Sequence, residues 1–141
     1  MDKYENEMWL TFQAKSCNEA LARMAVAGFL TPLNPTLTEL ADAKTAVSEA
    51  VTNAIIHGYE EKEGLVELWC ARTGKEVWFS VKDYGCGIED IVTAMEPMYT
   101  TKPEEERSGM GFSFMEAFTD ELLVESVPGE GTVVKMKKII R

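Results

Sequence analysis

The order of elements along this 141-residue chain predicts an α/β two-layer sandwich, in which a mixed, mostly antiparallel sheet carries its helices on one face. Three observations carry that expectation. Apolar residues alternate in segments that pair up as β-hairpins, long stretches of helical periodicity lie between those segments, and an apolar content of 45% suits one core in one domain spanning residues 1–141.

Met8, Leu10 and Phe12 alternate with Trp9 and Thr11, the period of a half-buried strand. Ser16 and Glu19 have capping-box spacing, and Leu21, Met24, Ala25, Gly28 and Phe29 follow at helical spacing, so a first helix is expected from about residue 17 to 31. Pro32 and Pro35 interrupt it. Thr36 and Glu39 repeat the capping signature and open a second helix, expected to end near His57-Gly58. Val66, Leu68 and Cys70, then Val77, Phe79 and Val81, alternate on either side of the turn Thr73-Gly74-Lys75-Glu76, which reads as a hairpin. A glycine-punctuated loop, a short helix from about Asp90 to Met95 and a polar segment at 96–108 with lid character follow. Gly109-Met110-Gly111 opens a helix carrying Phe114, Met115 and Phe118. A last hairpin is expected from Leu122 to Val127 and Thr132 to Ile139.

Composition narrows the function classes. With 24 acidic against 14 basic side chains, a net charge of −10 repels phosphate backbones, which argues against direct nucleic-acid binding and suits a basic protein partner. Cys17, Cys70 and Cys86 are far apart and form no C-x-x-C pair, so free thiols are expected rather than a zinc site or a disulfide framework. No apolar run approaches the roughly 18 residues of a membrane span, and Met1 to Glu7 lack a signal-peptide core; a soluble, cytoplasmic protein is expected.

The second helix carries two faces. Val47, Ala50, Val51 and Ala54 cluster on one side, while Glu49, Asn53 and His57 follow one another at about 40° on another. Polar residues on a helix commonly mark a solvated face. Against that, no Lys or Arg occurs from Thr45 to Tyr59, and Asn is a mediocre residue for a helix interior. A Glu and an Asn one turn apart suit a hard cation and a hydroxyl, the amide oxygen facing Mg²⁺ and the carboxylate accepting a proton.

Asp83-Tyr84-Gly85-Cys86-Gly87 follows a strand, where Asp and Gly also serve any ordinary turn. As a ligand loop, it would offer Asp83 as acceptor for the exocyclic amine of adenine, with glycine backbone close by. Gly109-Met110-Gly111 stands before a helix, where free N–H groups favour a phosphate, although it reads equally as a plain glycine N-terminus. Gly129-Glu130-Gly131-Thr132 suits a hairpin turn. Neither a Walker A nor a G-x-G-x-x-G motif is present, which excludes P-loop and Rossmann readings.

Taken together and in this order, these segments resemble the motifs of the GHKL superfamily, whose members share the Bergerat ATP-binding fold. Glu49-Ala50-Val51-Thr52-Asn53-Ala54-Ile55-Ile56-His57-Gly58 resembles its N box, and the segments beginning at Asp83, Gly109 and Gly129 resemble its glycine boxes. Within the superfamily the chain is similar to the anti-sigma serine kinases of bacterial sporulation. Asn6-Glu7-Met8, Val47 through Tyr59, and Thr100-Thr101-Lys102-Pro103 with Glu106 through Phe112 carry that similarity. Tyr84 and Cys86 depart mildly from the usual loop.

The resemblance implies that Glu49 is the catalytic base, that Asn53 coordinates Mg²⁺, and that Asp83, supported by Thr132, binds the adenine amine. It implies that Lys102, Arg107, Gly109 and Gly111 face the phosphates of ATP or ADP, that Thr100 and Thr101 belong to the lid, and that His57, Gly85, Gly87, Ser108 and Met110 line the nucleotide. Arg23 matches a partner-recognition position, and the strand and helix at about 6–31 form a dimer or partner surface. The implied activity is an anti-sigma factor that holds sigma-F in its ATP form and phosphorylates a serine of the anti-anti-sigma factor, as a homodimer. Alternatives are a general-stress-type anti-sigma kinase and a nucleotide-gated binding module without catalysis. A histidine kinase is disfavoured because His57 is the single histidine and lies inside the N box.

Overall fold

The computed structural model describes residues 3–88 and 111–141. The expected helix at about 90–95 and the lid at 96–108 lie outside those residues.

Alternating apolar residues form five strands: β1 (Asn6–Gln13), β2 (Leu65–Thr73), β3 (Glu76–Asp83), β4 (Glu121–Val127) and β5 (Gly131–Ile139). They make one sheet in the order β1-β2-β3-β5-β4, and every neighbouring pair is antiparallel. Three helices, α1 (Asn18–Leu30), α2 (Leu37–Asn53) and α3 (Gly111–Phe118), complete the described chain, with a 3₁₀ turn at Thr31–Leu33.

The two capping signatures in the sequence had different fates. At α2 both bonds of the box form, with Glu39 N donating to Thr36 Oγ1 at 3.0 Å and Thr36 N to Glu39 Oε1 at 2.9 Å. At α1 the box does not form. Cys17 is the N-cap without a side-chain bond, and Glu19 N donates instead to the Ser16 carbonyl. The Glu19 carboxylate is engaged elsewhere, by donors on α2, and two hydroxyls plus a guanidinium outcompete a single backbone amide.

The α2 helix packs against both α1 and α3. Its buried positions are small: Ala43, Ala46, Val47, Ala50 and Val51. Small side chains let neighbouring helices approach closely. Below the helices the inward residues of the sheet, including Val66, Leu68, Cys70, Val77, Phe79 and Val81, are buried. Burying each of the larger apolar side chains contributes about 1.5–3 kcal/mol. The outward face carries Trp9, Trp69 and Trp78, with Tyr4 packed on Trp69 and Trp78 at centroid separations of 5.4 and 5.1 Å. No described helix is long and apolar enough to cross a membrane.

Candidate functional site

The sequence extends α2 to His57-Gly58, but the α-helix stops at Asn53. A π-helical turn, Ala54–Gly58, takes over. The wider turn is closed by Tyr59 N donating to the Ala54 carbonyl and Glu61 N to the Ile55 carbonyl, both at 2.9 Å. It sets Gly58 against the end of β3: a Cβ at Gly58 would stand 2.8 Å from Asp83 Cγ, so only glycine lets the helix end lie on that carboxyl group. Tyr59 acts as a strut beneath it, its hydroxyl accepting from Tyr84 N at 2.8 Å and donating to the Leu65 carbonyl at 2.6 Å.

The loop after β3 is laced to this turn. Cys86 N donates to the Gly58 carbonyl at 2.8 Å, and the Cys86 thiol to the His57 carbonyl at 3.1 Å. A Cβ at Gly85 would lie 2.0 Å from the Gly58 oxygen, so this approach too demands glycine. Gly87 lies against the Val127 carbonyl, and the β4–β5 hairpin closes the other side with Gly129 N donating to the Cys86 carbonyl at 2.6 Å. Ser126 Oγ ties the two halves, accepting from Ile88 N at 2.7 Å and sharing a hydrogen with Thr132 Oγ1 at 2.8 Å. The Gly129–Thr132 segment is therefore both the hairpin turn and a wall of the Asp83 site.

Asp83 is only 5% exposed. Burial pushes its carboxyl pKa up, against backbone bonds from Gly85 and Thr132 that favour the charged form. Gly85 N reaches Oδ1 at 2.9 Å, and Thr132 lies opposite Asp83 in the β3–β5 register. A partly desolvated acceptor at a strand end, bordered by backbone rather than side chains, suits a flat donor such as an aminopurine edge.

Glu49, Asn53 and His57 are half-buried along α2 and its π turn. Asn53 Nδ2 is buried and meets no hydrogen-bond partner among the described residues. An orphaned buried donor costs about 1–3 kcal/mol. Asn53 immediately precedes the π turn, whose last residue, Gly58, lies against the Asp83 carboxyl. Gly111 begins α3, which packs on α2. Thr100, Thr101, Lys102, Arg107, Ser108, Gly109 and Met110 lie outside the described residues. Arg23 sits on α1, its guanidinium held by Glu19 at 2.6 Å and Ser48 at 3.2 Å.

A family model described as a histidine kinase-like ATPase domain matches residues 12–138. The chain belongs to that family. Membership implies nucleotide binding. Relatives named anti-sigma F factor include one from Clostridium kluyveri, 57% identical over 136 residues and 96% of each chain. Another, from Thermoanaerobacter sp., is 55% identical over 138 residues, 98% of this chain and 96% of its own. Among solved structures, the RsbU and RsbW domains of Rv1364c from Mycobacterium tuberculosis superpose with a TM-score of 0.69 at 21% identity, covering 96% of this chain and 32% of that one. That likeness supports the histidine kinase-like ATPase fold.

Reading the sequence alone missed Glu19, Ser48, Thr52 and the strut Tyr59. The Glu19–Arg23 spacing of four and the hydroxyls one place before Glu49 and Asn53 were the available signals.

Proposed function

We propose that the chain is an anti-sigma factor and ATP-dependent serine protein kinase that binds sigma-F in its ATP form and phosphorylates a serine of an anti-anti-sigma factor, controlling sporulation transcription. The observation that carries this reading is the junction of α2 with β3: a π turn runs from Asn53, whose buried Nδ2 meets no partner among the described residues, to Gly58, which lies on the desolvated Asp83 carboxyl. The shared name of relatives at 55–57% identity favours sigma-F over a general-stress sigma factor.

In this reading Asp83 accepts from the adenine amine, with Thr132 behind it and Gly85 and Gly87 giving the ring room. Asn53 would be the chain's ligand to Mg²⁺, through its side-chain oxygen. Mg²⁺ commonly keeps several waters and binds through few protein ligands together with substrate phosphates, a mode for which a single amide ligand would suffice. Bound Mg²⁺ would supply neutralisation of phosphate charge. Lys102, Arg107, Gly109 and Gly111 face the phosphates, Thr100 and Thr101 belong to the lid, and His57, Ser108 and Met110 line the nucleotide. Glu49 takes the proton from the substrate serine as its oxygen bonds to the γ-phosphorus and ADP departs. The domain works in the cytoplasm as a homodimer, with β1, one of the two edge strands of the sheet, and α1 forming the dimer and partner surface around Arg23.

Incubation with labelled ATP and an anti-anti-sigma factor, followed by mapping of the label, tests this. Label on serine is expected. Glu49→Ala should bind ATP normally while transfer falls about 10²- to 10⁴-fold. Undiminished transfer by that variant removes Glu49 as base, and binding without any transfer by the wild type leaves a nucleotide-gated binder instead.

A further inference from the structure

The α1–α2 contact contains a hydrogen-bonded unit of which the proposed roles use only Arg23. Glu19, on the first turn of α1, accepts Ser48 Oγ–H on Oε1 at 2.6 Å and Thr52 Oγ1–H on Oε2 at 2.8 Å. Arg23, one turn later on α1, donates to the same Oε1 at 2.6 Å and to Ser48 Oγ at 3.2 Å. Both carboxylate oxygens are thus taken. The Glu19 side chain is 18% exposed and Ser48 is buried.

The two hydroxyls are one helical turn apart, and each immediately precedes a residue of the polar ridge: Ser48 before Glu49, Thr52 before Asn53. We infer that Glu19 is a positioning residue, which fixes the rotation of α2 that presents Glu49 and Asn53 and joins that ridge to Arg23 on α1. This rests on the kinase reading above.

The geometry supports a directional role. The buried side chains along the middle of α2, Ala43, Ala46, Ala50 and their neighbours, are small and apolar, and apolar burial has no preferred direction; the polar contacts of Glu39 with Arg141 N at 2.7 Å and of Asp42 with Lys138 at 4.0 Å lie in its first two turns. Side-chain atoms stand about 6 Å from a helix axis, so a rotation of roughly 10° displaces them by roughly 1 Å. A displacement of that size breaks bonds of 2.6 and 2.8 Å, and the two together oppose rotation in either sense. The same 1 Å at a catalytic group costs on the order of 10²-fold in rate. Burial opposes ionisation of Glu19, but its donors outweigh burial and hold the carboxyl below its ordinary range, so it is charged at neutral pH and its bonds are charge-assisted.

Glu19 also links two surfaces. Arg23 is partly exposed, and a partner carboxylate that draws its guanidinium away leaves Glu19 with the two α2 hydroxyls alone. Engagement of Arg23 and the setting of the ridge are therefore coupled through one carboxylate.

The test is Glu19→Gln, which keeps the size of the side chain and replaces one acceptor oxygen with a donor. Transfer from labelled ATP to the serine of the anti-anti-sigma factor is measured with calorimetric binding of ADP, thermal melting, and the ¹⁵N-resolved side-chain amide signal of Asn53. The expected result is a kcat lowered about 10- to 100-fold, the range seen when supporting residues behind a site are removed, with KM for ATP and Kd for ADP within about threefold of wild type. The Asn53 amide signal should move. Thr52→Val, which deletes one donor at constant shape, should give a smaller loss of the same kind, and it serves if Glu19→Gln does not fold. A lower melting temperature with kcat intact would make Glu19 a plain helix clamp and overturn the inference. If wild-type protein transfers no label, the kinase reading fails, and the Asn53 signal alone then decides: moved supports positioning, unmoved overturns it.

Discussion

Replacing Gly85 with alanine places a methyl group 2.0 Å from the Gly58 oxygen and 2.3 Å from its carbon. Non-bonded carbon needs roughly 3.5 Å, so the loop or the π turn must move by more than about 1 Å. Both neighbours are backbone, and no rotamer change relieves the contact. The shift breaks the 2.8 Å bond from Cys86 N to the Gly58 carbonyl. Losing that bond removes about 1 kcal/mol, and forcing packed backbone apart adds about 1–3 kcal/mol, a total of about 2–4 kcal/mol. At about 3–4 °C per kcal/mol for a domain of this size, the melting temperature should fall by roughly 6–16 °C. Gly28→Ala is the control: the added Cβ meets nothing within 4 Å inside α1, and helix propensity predicts a gain of about 0.5–1 kcal/mol. Thermal melting of both variants, with calorimetric titration of Mg·ADP, gives the answer. A Gly85→Ala protein that melts within about 2 °C of wild type and binds ADP as tightly would refute the claim that this loop is pressed against the π turn after α2.

Three further outcomes follow from particular contacts. Because burial raises the Asp83 pKa, its contribution to folding is fully present below the ordinary value of 3.8 and is lost as pH rises through the folded value. Nucleotide-free Asp83→Asn should therefore unfold at higher urea than wild type at pH 7, with the difference narrowing as pH falls from 8 toward 4; a constant difference would mean that Asp83 does not titrate as its burial requires. Thr36→Ala removes the hydroxyl of the α2 capping box and should cost about 1 kcal/mol in urea unfolding, an effect that vanishes only if the box does not form. Burial pushes the Cys70 thiol up to about 12, so a thiol-specific reagent should label exposed Cys17 in the native protein and reach Cys70 only on unfolding, and equal native rates would contradict its burial.

Much of the fold was legible because the signals are local. The strand alternation at Met8–Phe12 and Val77–Val81, the Thr36–Glu39 box and the turn at Thr73–Glu76 each depend on residues a few places apart, and all appear in the structure. The Ser16–Glu19 box was misread because the competing partners of Glu19, Ser48 and Thr52, are 29 and 33 residues away. The π turn was hidden for a related reason. Ala54 to Gly58 reads as a continuing helix, and the groups that meet the π turn, the end of β3 and the Cys86 amide, are brought there by the sheet. The insertion of β5 between β3 and β4 is likewise a matter of long-range pairing. At the site, the spacing of Glu49, Asn53 and His57 was visible in the sequence, whereas the burial of the Asn53 amide depends on the packing around α2.

The proposed function stands on a magnesium nucleotide bound through Asn53 and Asp83, and calorimetric titration of Mg·ADP into wild type, Asn53→Ala and Asp83→Asn measures that directly. Saturable binding by the wild type, one nucleotide per chain, with affinity weakened at least about tenfold in each variant, is the predicted result. Equal affinity in all three proteins would contradict it.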